Sequence, residues 1–106
     1  MSDTQIMKGL FYSLYRKFGF SHSLTTLASY PERRCRVYDF YRRLKEKEGY
    51  INEFLRVRRD LLKYKLVSYG LDVDYEKTIG LTPKGEKVLE LIRNLTELFA
   101  ETPKTL

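Results

Sequence analysis

The amino-acid sequence predicts a single α+β domain that is mostly helical and carries one β-hairpin. Apolar residues recur at intervals of three and four through most of the chain, which is typical of amphipathic helices. Between residues 66 and 81 the interval changes to two, as in a half-buried hairpin. A chain of 106 residues has room for one modest core, so residues 1–106 are treated as one domain.

The N-terminal segment, residues 1–18, is predicted to form an amphipathic helix. Ser2 and Gln5 have the spacing of a capping box at its start. Apolar residues then recur at helical spacing: Ile6, Met7, Leu10, Phe11, Leu14 and Phe18.

A second helix is predicted to begin at Ser21 or Ser23 and to end at Tyr30. Pro31 stops it, because a proline pushes the preceding residue away from helical backbone angles. Residues 34–37 then form a short extended segment.

Two further helices joined by a tight turn are predicted over residues 37–66. The first ends near Gly49 and carries an apolar stripe of Tyr38, Phe40, Tyr41 and Leu44. The second begins at Ile51 or Asn52 and is closed by Lys65, where a cation meets the negative end of the helix dipole. Its apolar side is expected to hold Phe54, Leu55, Val57, Leu61, Leu62 and Tyr64.

The hairpin, residues 66–81, is predicted to have strands at 66–71 and 77–81, with residues 72–76 as its loop. Thr82 and Pro83 then start a helix over residues 82–99, with a capping hydroxyl and a proline at the first helical position. Residues 102–106 are expected to form a tail.

The net charge of +6 lies entirely between residues 31 and 66. This segment holds six acids and twelve basic residues, whereas the rest of the chain holds eight of each sign. Such clustering is typical of a nucleic-acid footprint, and the alternative is a solvated helical surface. The basic residues are Arg33, Arg34, Arg36, Arg42, Arg43, Lys45, Lys47, Arg56, Arg58, Arg59, Lys63 and Lys65.

Residues 37–92 resemble the winged helix-turn-helix family. The resemblance is carried by VYDFYRRLKEKEGYINEFLRVRRDLLKYKLVSYG and by KTIGLTPKGEKVLELI. The second stretch is similar to the LT-x-x-G-x-x-L-L stretch that closes the wing in MarR-like and PadR-like regulators. The start YDFY resembles small winged-helix proteins of archaea and their viruses. The resemblance implies a helix-turn-helix at 37–66, a recognition helix at 52–65 and a wing at 66–81, with extra N- and C-terminal helices.

The candidate recognition helix carries a polar stripe that suits the major groove of DNA. Asn52, Arg56, Arg59 and Lys63 follow one another at intervals of four, three and four, so they share one helix face. Arginine forks suit guanine edges and an asparagine suits adenine, which makes Asn52, Arg56 and Arg59 the candidate base-reading residues. The alternative for Arg56 is a surface ion pair with the nearby Glu53 or Asp60. Candidate phosphate-binding residues are Arg42, Arg43, Arg58, Lys63 and Lys77.

A competing register makes residues 24–30 the first helix of the motif and residues 32–48 the reader, which would expose Arg33, Arg36 and Arg43. It is disfavoured because it inserts a whole helix between the reader and the wing. In either register the wing tip is acidic, with Asp72, Asp74 and Glu76 opposed only by Lys77. A wing of this charge either stands clear of DNA or faces a protein partner.

Catalytic, metal and cofactor chemistry is not indicated, so we expect a protein that is not an enzyme, without cofactors, metals or an evident small-molecule ligand. His22 and Cys35 are the only residues of their types and cannot form a zinc set. Cys35 is expected to pack beneath the extended segment, with a disulfide across a dimer axis as the alternative.

No apolar run reaches the roughly 20 residues that span a bilayer, and no signal peptide is evident, which indicates a cytoplasmic location. Only three amides occur (Gln5, Asn52, Asn94) beside abundant Lys, Arg and Glu, and this scarcity of thermolabile residues favours a thermophilic source.

The favoured function is sequence-specific binding of double-stranded DNA by a transcriptional regulator, most simply a repressor. It is expected to act as a homodimer joined through its N- and C-terminal helices, because two-fold proteins read paired half-sites. The alternative for these apolar helices is packing on their own domain.

Two other functions remain open. One is a winged-helix protein–protein interaction module in a larger assembly, and the other is a single-strand or RNA binder that uses the nine tyrosines.

Overall fold

A computed structural model of the chain describes residues 20–100. The predicted N-terminal helix, residues 1–18, and the predicted tail, residues 102–106, lie outside the described residues. The prediction of a mostly helical α+β fold with a β-hairpin is confirmed. The elements, in chain order, are α1 (Phe20–Ala28), β1 (Arg34–Arg36), α2 (Val37–Lys45), α3 (Tyr50–Lys63), β2 (Val67–Leu71), β3 (Lys77–Leu81) and α4 (Pro83–Ala100).

The three strands form one antiparallel sheet in the order β1-β3-β2. Gly80, in the central strand, lies opposite Arg34 of β1 on one side and Ser68 of β2 on the other. The short extended segment of the sequence is therefore the third strand of the wing sheet. This order of elements, with β1 pairing across the later hairpin, resembles a winged-helix arrangement.

α1 ends at Ala28, two residues before the predicted end at Tyr30. The N–H groups of Ser29 and Tyr30 donate to carbonyls only three residues back, which tightens the last turn. Tyr30 itself is extended, with ψ at 151°, as the following Pro31 requires. A single 3-10 turn, Pro31–Arg33, then leads into β1.

The start of α3 depends on a glycine in the left-handed region. Gly49 has a φ of 85°, which glycine adopts without a Cβ clash, and its carbonyl accepts the N–H of Glu53 at 2.9 Å. The chain therefore turns sharply after α2 and begins α3 at Tyr50, slightly earlier than predicted.

α3 ends at Lys63, and the prediction that Lys65 closes the helix is wrong. Lys65 instead lies in the left-handed region with a φ of 59°. The N–H of Leu66 donates to Leu61 at 2.9 Å and that of Lys65 donates to Leu62 at 3.1 Å. This is the Schellman pattern, which reverses the chain and feeds it directly into β2.

The core lies between the helices and one face of the sheet. Its fully buried centre is formed by Leu24, Leu27, Phe40, Leu44, Phe54, Val57, Leu61, Leu66 and Ile79. Phe40 and Phe54 meet edge to face, with ring centroids 4.9 Å apart, so α2 and α3 are joined by an aromatic contact.

One sequence-based expectation about the helices is wrong, and the disfavoured alternative register is excluded as well. Leu55 was placed on the apolar side of α3, yet it is 44% exposed. It follows the buried Phe54 by one residue, which rotates its side chain about 100° around the helix and away from the core. The competing register also fails, because its reader at residues 32–48 is divided among a 3-10 turn, a strand and the helix Val37–Lys45.

The LTPKG motif is the joint between α3, the wing and α4. The backbone N–H of Gly85 donates to the Thr82 hydroxyl at 3.0 Å, so Thr82 caps α4 as predicted. The same hydroxyl donates to the carbonyl of Lys65 at 2.5 Å, and the N–H of Thr82 donates to Leu66 at 3.1 Å. A Cβ on Gly85 would lie 2.0 Å from the carbonyl oxygen of Leu66, so only glycine fits.

Candidate nucleic-acid interface

The candidate interface is built on the exposed side of α3. Phe54, Val57 and Leu61 are fully buried. They therefore set the rotation of this helix about its own axis relative to the core. The opposite side therefore faces solvent and presents the predicted stripe of Asn52, Arg56, Arg59 and Lys63, all of which are exposed.

The two central arginines of the stripe are available for a ligand. Neither Arg56 nor Arg59 forms an ion pair with another residue of the described range 20–100. Glu53, the suggested partner of Arg56, is buried on another side of α3. Its carboxylate lies 3.3 Å from the Nδ1 of His22, whose ring stacks on Tyr50 at 4.4 Å. Within residues 20–100, the two guanidinium groups therefore have no carboxylate at ion-pair distance.

Leu55 also belongs to this exposed surface, although the sequence analysis does not identify it as a site residue. It lies three residues after Asn52 and four before Arg59, so it is their neighbour on the helix. That spacing was readable from the sequence, but the apolar character of leucine pointed to the core. The stripe thus combines hydrogen-bond donors with one exposed aliphatic side chain.

The structure brings Arg58 and Lys77, two candidate phosphate ligands, to the same residue, Tyr69 in β2. Burial raises the pKa of the Tyr69 hydroxyl, and the proximity of Tyr41 acts in the same direction. The Arg58 guanidinium, which hydrogen-bonds this hydroxyl, acts to lower its pKa. The Lys77 ammonium lies 4.2 Å from the centre of the Tyr69 ring. This cluster joins the basic helix to the base of the wing.

The remaining candidate phosphate ligands lie over tyrosines. The Arg42 guanidinium lies 5.9 Å from the ring of Tyr38 and 3.9 Å from the carboxylate of Asp39. The Arg43 guanidinium lies 5.3 Å from the ring of Tyr30, and Lys63 lies 5.5 Å from that of the adjacent Tyr64. Arg42 and Arg43 are both exposed and lie on α2, whereas Lys63 extends the stripe of α3.

Three of the twelve clustered basic residues instead have partners in the sheet, at the wing tip or on α4. Arg34 lies across the outer face and donates to Thr78 at 2.9 Å and to Ser68 at 2.8 Å. Arg33 pairs with Glu86 of α4. Arg36 donates to Asp72 and Asp74 of the wing tip. Of the other nine, seven lie on α2 and α3, and Lys47 and Lys65 follow the ends of these helices.

The negative charge of the wing tip is partly compensated by Arg36 of β1. The Arg36 Nε lies 2.6 Å from Asp72 and its terminal nitrogen 2.9 Å from Asp74. Desolvation acts to raise the pKa of Asp72, but hydrogen bonds from the backbone of Glu76, from Arg36 and from the backbone of Asp74 lower it overall. Two of the three carboxylates are thus held by one guanidinium.

The single cysteine does not present a reactive thiol. Burial, with the nearby Asp39 carboxylate, raises the pKa of Cys35 to about 11. The reactive thiolate is therefore scarce at neutral pH. The side chain packs partly buried against the core, as expected. Among residues 20–100, no group of three or more side chains is placed to hold a metal ion.

In the same part of the chain, no helix is both long and apolar enough to cross a membrane. Comparison of the chain with protein-family models, with curated proteins and with solved structures finds no match.

Proposed function

We propose that this protein binds double-stranded DNA in a sequence-specific manner and acts as a homodimeric transcriptional repressor of the winged helix-turn-helix type. The observation that carries the proposal is the stripe on α3. Long donors stand on the exposed side of a helix within a winged-helix arrangement, and its two arginines have no ion-pair partner in the described range. The LTPKG joint supports a relationship to MarR-like and PadR-like regulators.

In the proposed complex α3 lies in the major groove, which is wide enough for a helix. Arg56 and Arg59 donate to O6 and N7 of guanines, and Asn52 pairs with an adenine. Leu55 contacts the methyl group of a thymine, since apolar side chains read that group. These four side chains carry the sequence preference.

Phosphate contacts come from three directions around the reading helix. Arg42 and Arg43 reach the backbone from α2, Lys63 from the end of α3, and Arg58 with Lys77 from the cluster at Tyr69. Such contacts position the helix without selecting a sequence. They make the affinity depend steeply on salt concentration.

Dimer formation is proposed through the long helix α4, together with the N-terminal segment. Leu91, Leu95 and Leu98 are 62%, 44% and 63% exposed and follow one another at intervals of four and three. They form one apolar stripe on α4, which a second copy can cover. A two-fold pair would present two reading helices to an inverted repeat.

The proposed function is tested by selection from random duplex DNA, followed by binding measurements at several salt concentrations. An inverted repeat should be enriched, and log K should fall with log salt by about 0.9 per phosphate contacted. Replacing both Arg56 and Arg59 by Ala should weaken binding to the selected site at least about 25-fold, since each bidentate contact is worth roughly 1–3 kcal/mol.

The matched control replaces Lys84 and Lys87 of α4 by Ala, which removes the same charge from exposed positions away from α3. This variant should bind the selected site nearly as well as the original protein. Absence of any enriched sequence, or equal losses in the two double variants, would contradict the proposal.

A further inference from the structure

The wing tip, residues 71–76, displays a cluster of apolar side chains that the proposed DNA contact does not use. Leu71, Val73 and Tyr75 are 66%, 93% and 84% exposed. Single exposed apolar residues are ordinary on protein surfaces, but three at alternate positions, from the end of β2 into the loop, concentrate apolar surface as an interaction site does.

This cluster is held in a fixed shape. One oxygen of Asp72 accepts the backbone N–H groups of Asp74 at 2.8 Å and of Glu76 at 3.0 Å. Its other oxygen accepts from Arg36, which braces the loop from β1. Tyr75 has a φ of 61°, a backbone conformation that a bulky residue adopts only where its surroundings impose it. A loop ordered in advance loses little entropy on binding.

The chemistry of the wing tip selects a basic, apolar partner surface. Asp72, Asp74 and Glu76 surround the apolar side chains, and Arg36 compensates only part of their charge. Carboxylates repel the phosphates of DNA, which disfavours a nucleic-acid contact here. A complementary surface has an apolar centre and a cationic rim.

The chain itself carries such a surface, the α2–α3 groove. This groove has a volume of about 220 Å³ and is lined by Tyr38, Tyr41, Arg42, Lys45 and Ile51. Tyr38 is 73% exposed although it is a large aromatic residue. Arg42 and Lys45 supply the positive rim, and both are exposed. Apolar lining and positive charge thus complement the acidic, apolar wing tip.

We propose that the wing tip of one copy docks in the α2–α3 groove of a second copy. The two surfaces differ, so the contact is head-to-tail, and each pair retains one free wing tip and one free groove. Copies can therefore add in a row, in contrast to the closed two-fold pair proposed through α4. The contact needs no DNA, so it holds or fails independently of the proposed function.

The test is a charge exchange followed by sedimentation velocity of the full chain without DNA, at rising protein concentration and low salt. Glu76→Lys places a cation at the wing tip, and Lys45→Glu places an anion at the groove. Neither residue belongs to the proposed DNA contacts, and both are exposed. The original protein should form species larger than a dimer. Each single variant should weaken this association at least about tenfold, because like charges then face each other.

Combining Glu76→Lys with Lys45→Glu should restore the association, which loss of folding in a single variant could not produce. Combining Glu76→Lys with Lys47→Glu should not restore it, because the exposed Lys47 lies outside the groove lining. Tyr75→Ser should lose the association without any change of charge. The proposal is overturned if the original protein forms nothing larger than a dimer. It is also overturned if the charge exchange leaves the association as weak as in the single variants.

Discussion

At the scale of single residues, the exposed stripe of α3, which we propose reads DNA, is a mixture of donors and one aliphatic side chain. Arg56 and Arg59 have no carboxylate partner within residues 20–100, whereas Arg36 and Arg33 are paired inside the fold. Identical residue types in one stretch of sequence therefore have different tasks. In the proposed complex, Leu55 adds to the stripe an apolar contact that arginine alone would not provide.

Leu55 is predicted to read a thymine methyl group in the selected DNA site. Replacing that thymine by deoxyuracil removes one methyl group, which should weaken binding about fourfold, since burial of such a group is worth about 0.8 kcal/mol. The Leu55→Ala variant should bind the two DNA sites equally, and this is measured by titration of labelled duplexes. The remaining thymines serve as controls. If no single thymine-to-deoxyuracil change affects the original protein, Leu55 does not read a methyl group.

At the scale of elements, the LTPKG joint connects the wing and α4 to the end of α3. Thr82 contacts the turn after α3 through its hydroxyl and its N–H, and it caps α4 through the same oxygen. Gly85 allows the first turn of α4 to approach Leu66. The orientation of α3 relative to the wing is therefore fixed by a few backbone contacts.

Gly85→Ala is predicted to destabilise the fold by about 3 kcal/mol or more, the upper range for overpacking in a core. The added Cβ would meet the carbonyl oxygen of Leu66, a backbone atom that cannot move alone. Chemical denaturation followed by circular dichroism measures the free energy of unfolding. Gly49→Asn is the control, because the space at Gly49 is open and asparagine tolerates a positive φ. A smaller loss for Gly85→Ala than for Gly49→Asn would contradict the proposed joint.

At the scale of the whole molecule, the protein has an apolar stripe on α4 and a polar stripe on α3. The exposed leucines of α4 are more than a small monomer needs, which supports a two-fold pair. The wing tip and the α2–α3 groove add a second, different contact. Because Arg42 lines the α2–α3 groove and is also a proposed phosphate ligand, docking of a wing tip there competes with that phosphate contact.

The proposed dimer is tested by light scattering during gel filtration at low protein concentration and high salt, which screens the charged contact between the wing tip and the groove. The original protein should have about twice the 12.7 kDa mass of one chain. Replacing Leu91 and Leu98 by Glu should give the single-chain mass, because carboxylates cannot be buried unpaired in the interface. Glu90→Gln, at an exposed position on the same helix, is the control and should remain dimeric. A mass near 12.7 kDa for the original protein excludes the dimer.

The order and type of the described elements were predictable because they depend on local periodicity. The strand Lys77–Leu81 and the helix start at Pro83 were predicted with their observed bounds. Helix ends were less predictable. The end of α3 depends on a left-handed backbone conformation at Lys65, which a lysine in the sequence does not predict.

The sequence by itself determined the helical and hairpin pattern, the clustering of basic residues and the stripe of donors on α3. Each depends on spacing within one element, where the helix or strand period fixes which residues share a face. Only the tertiary structure decided which of the described basic side chains have partners within the fold. Arg34 and Arg36 meet partners 34 to 44 residues away, and Leu55 is displaced to the surface by the roll that Phe54 imposes on α3. Such contacts form only when distant elements pack, so no local period encodes them.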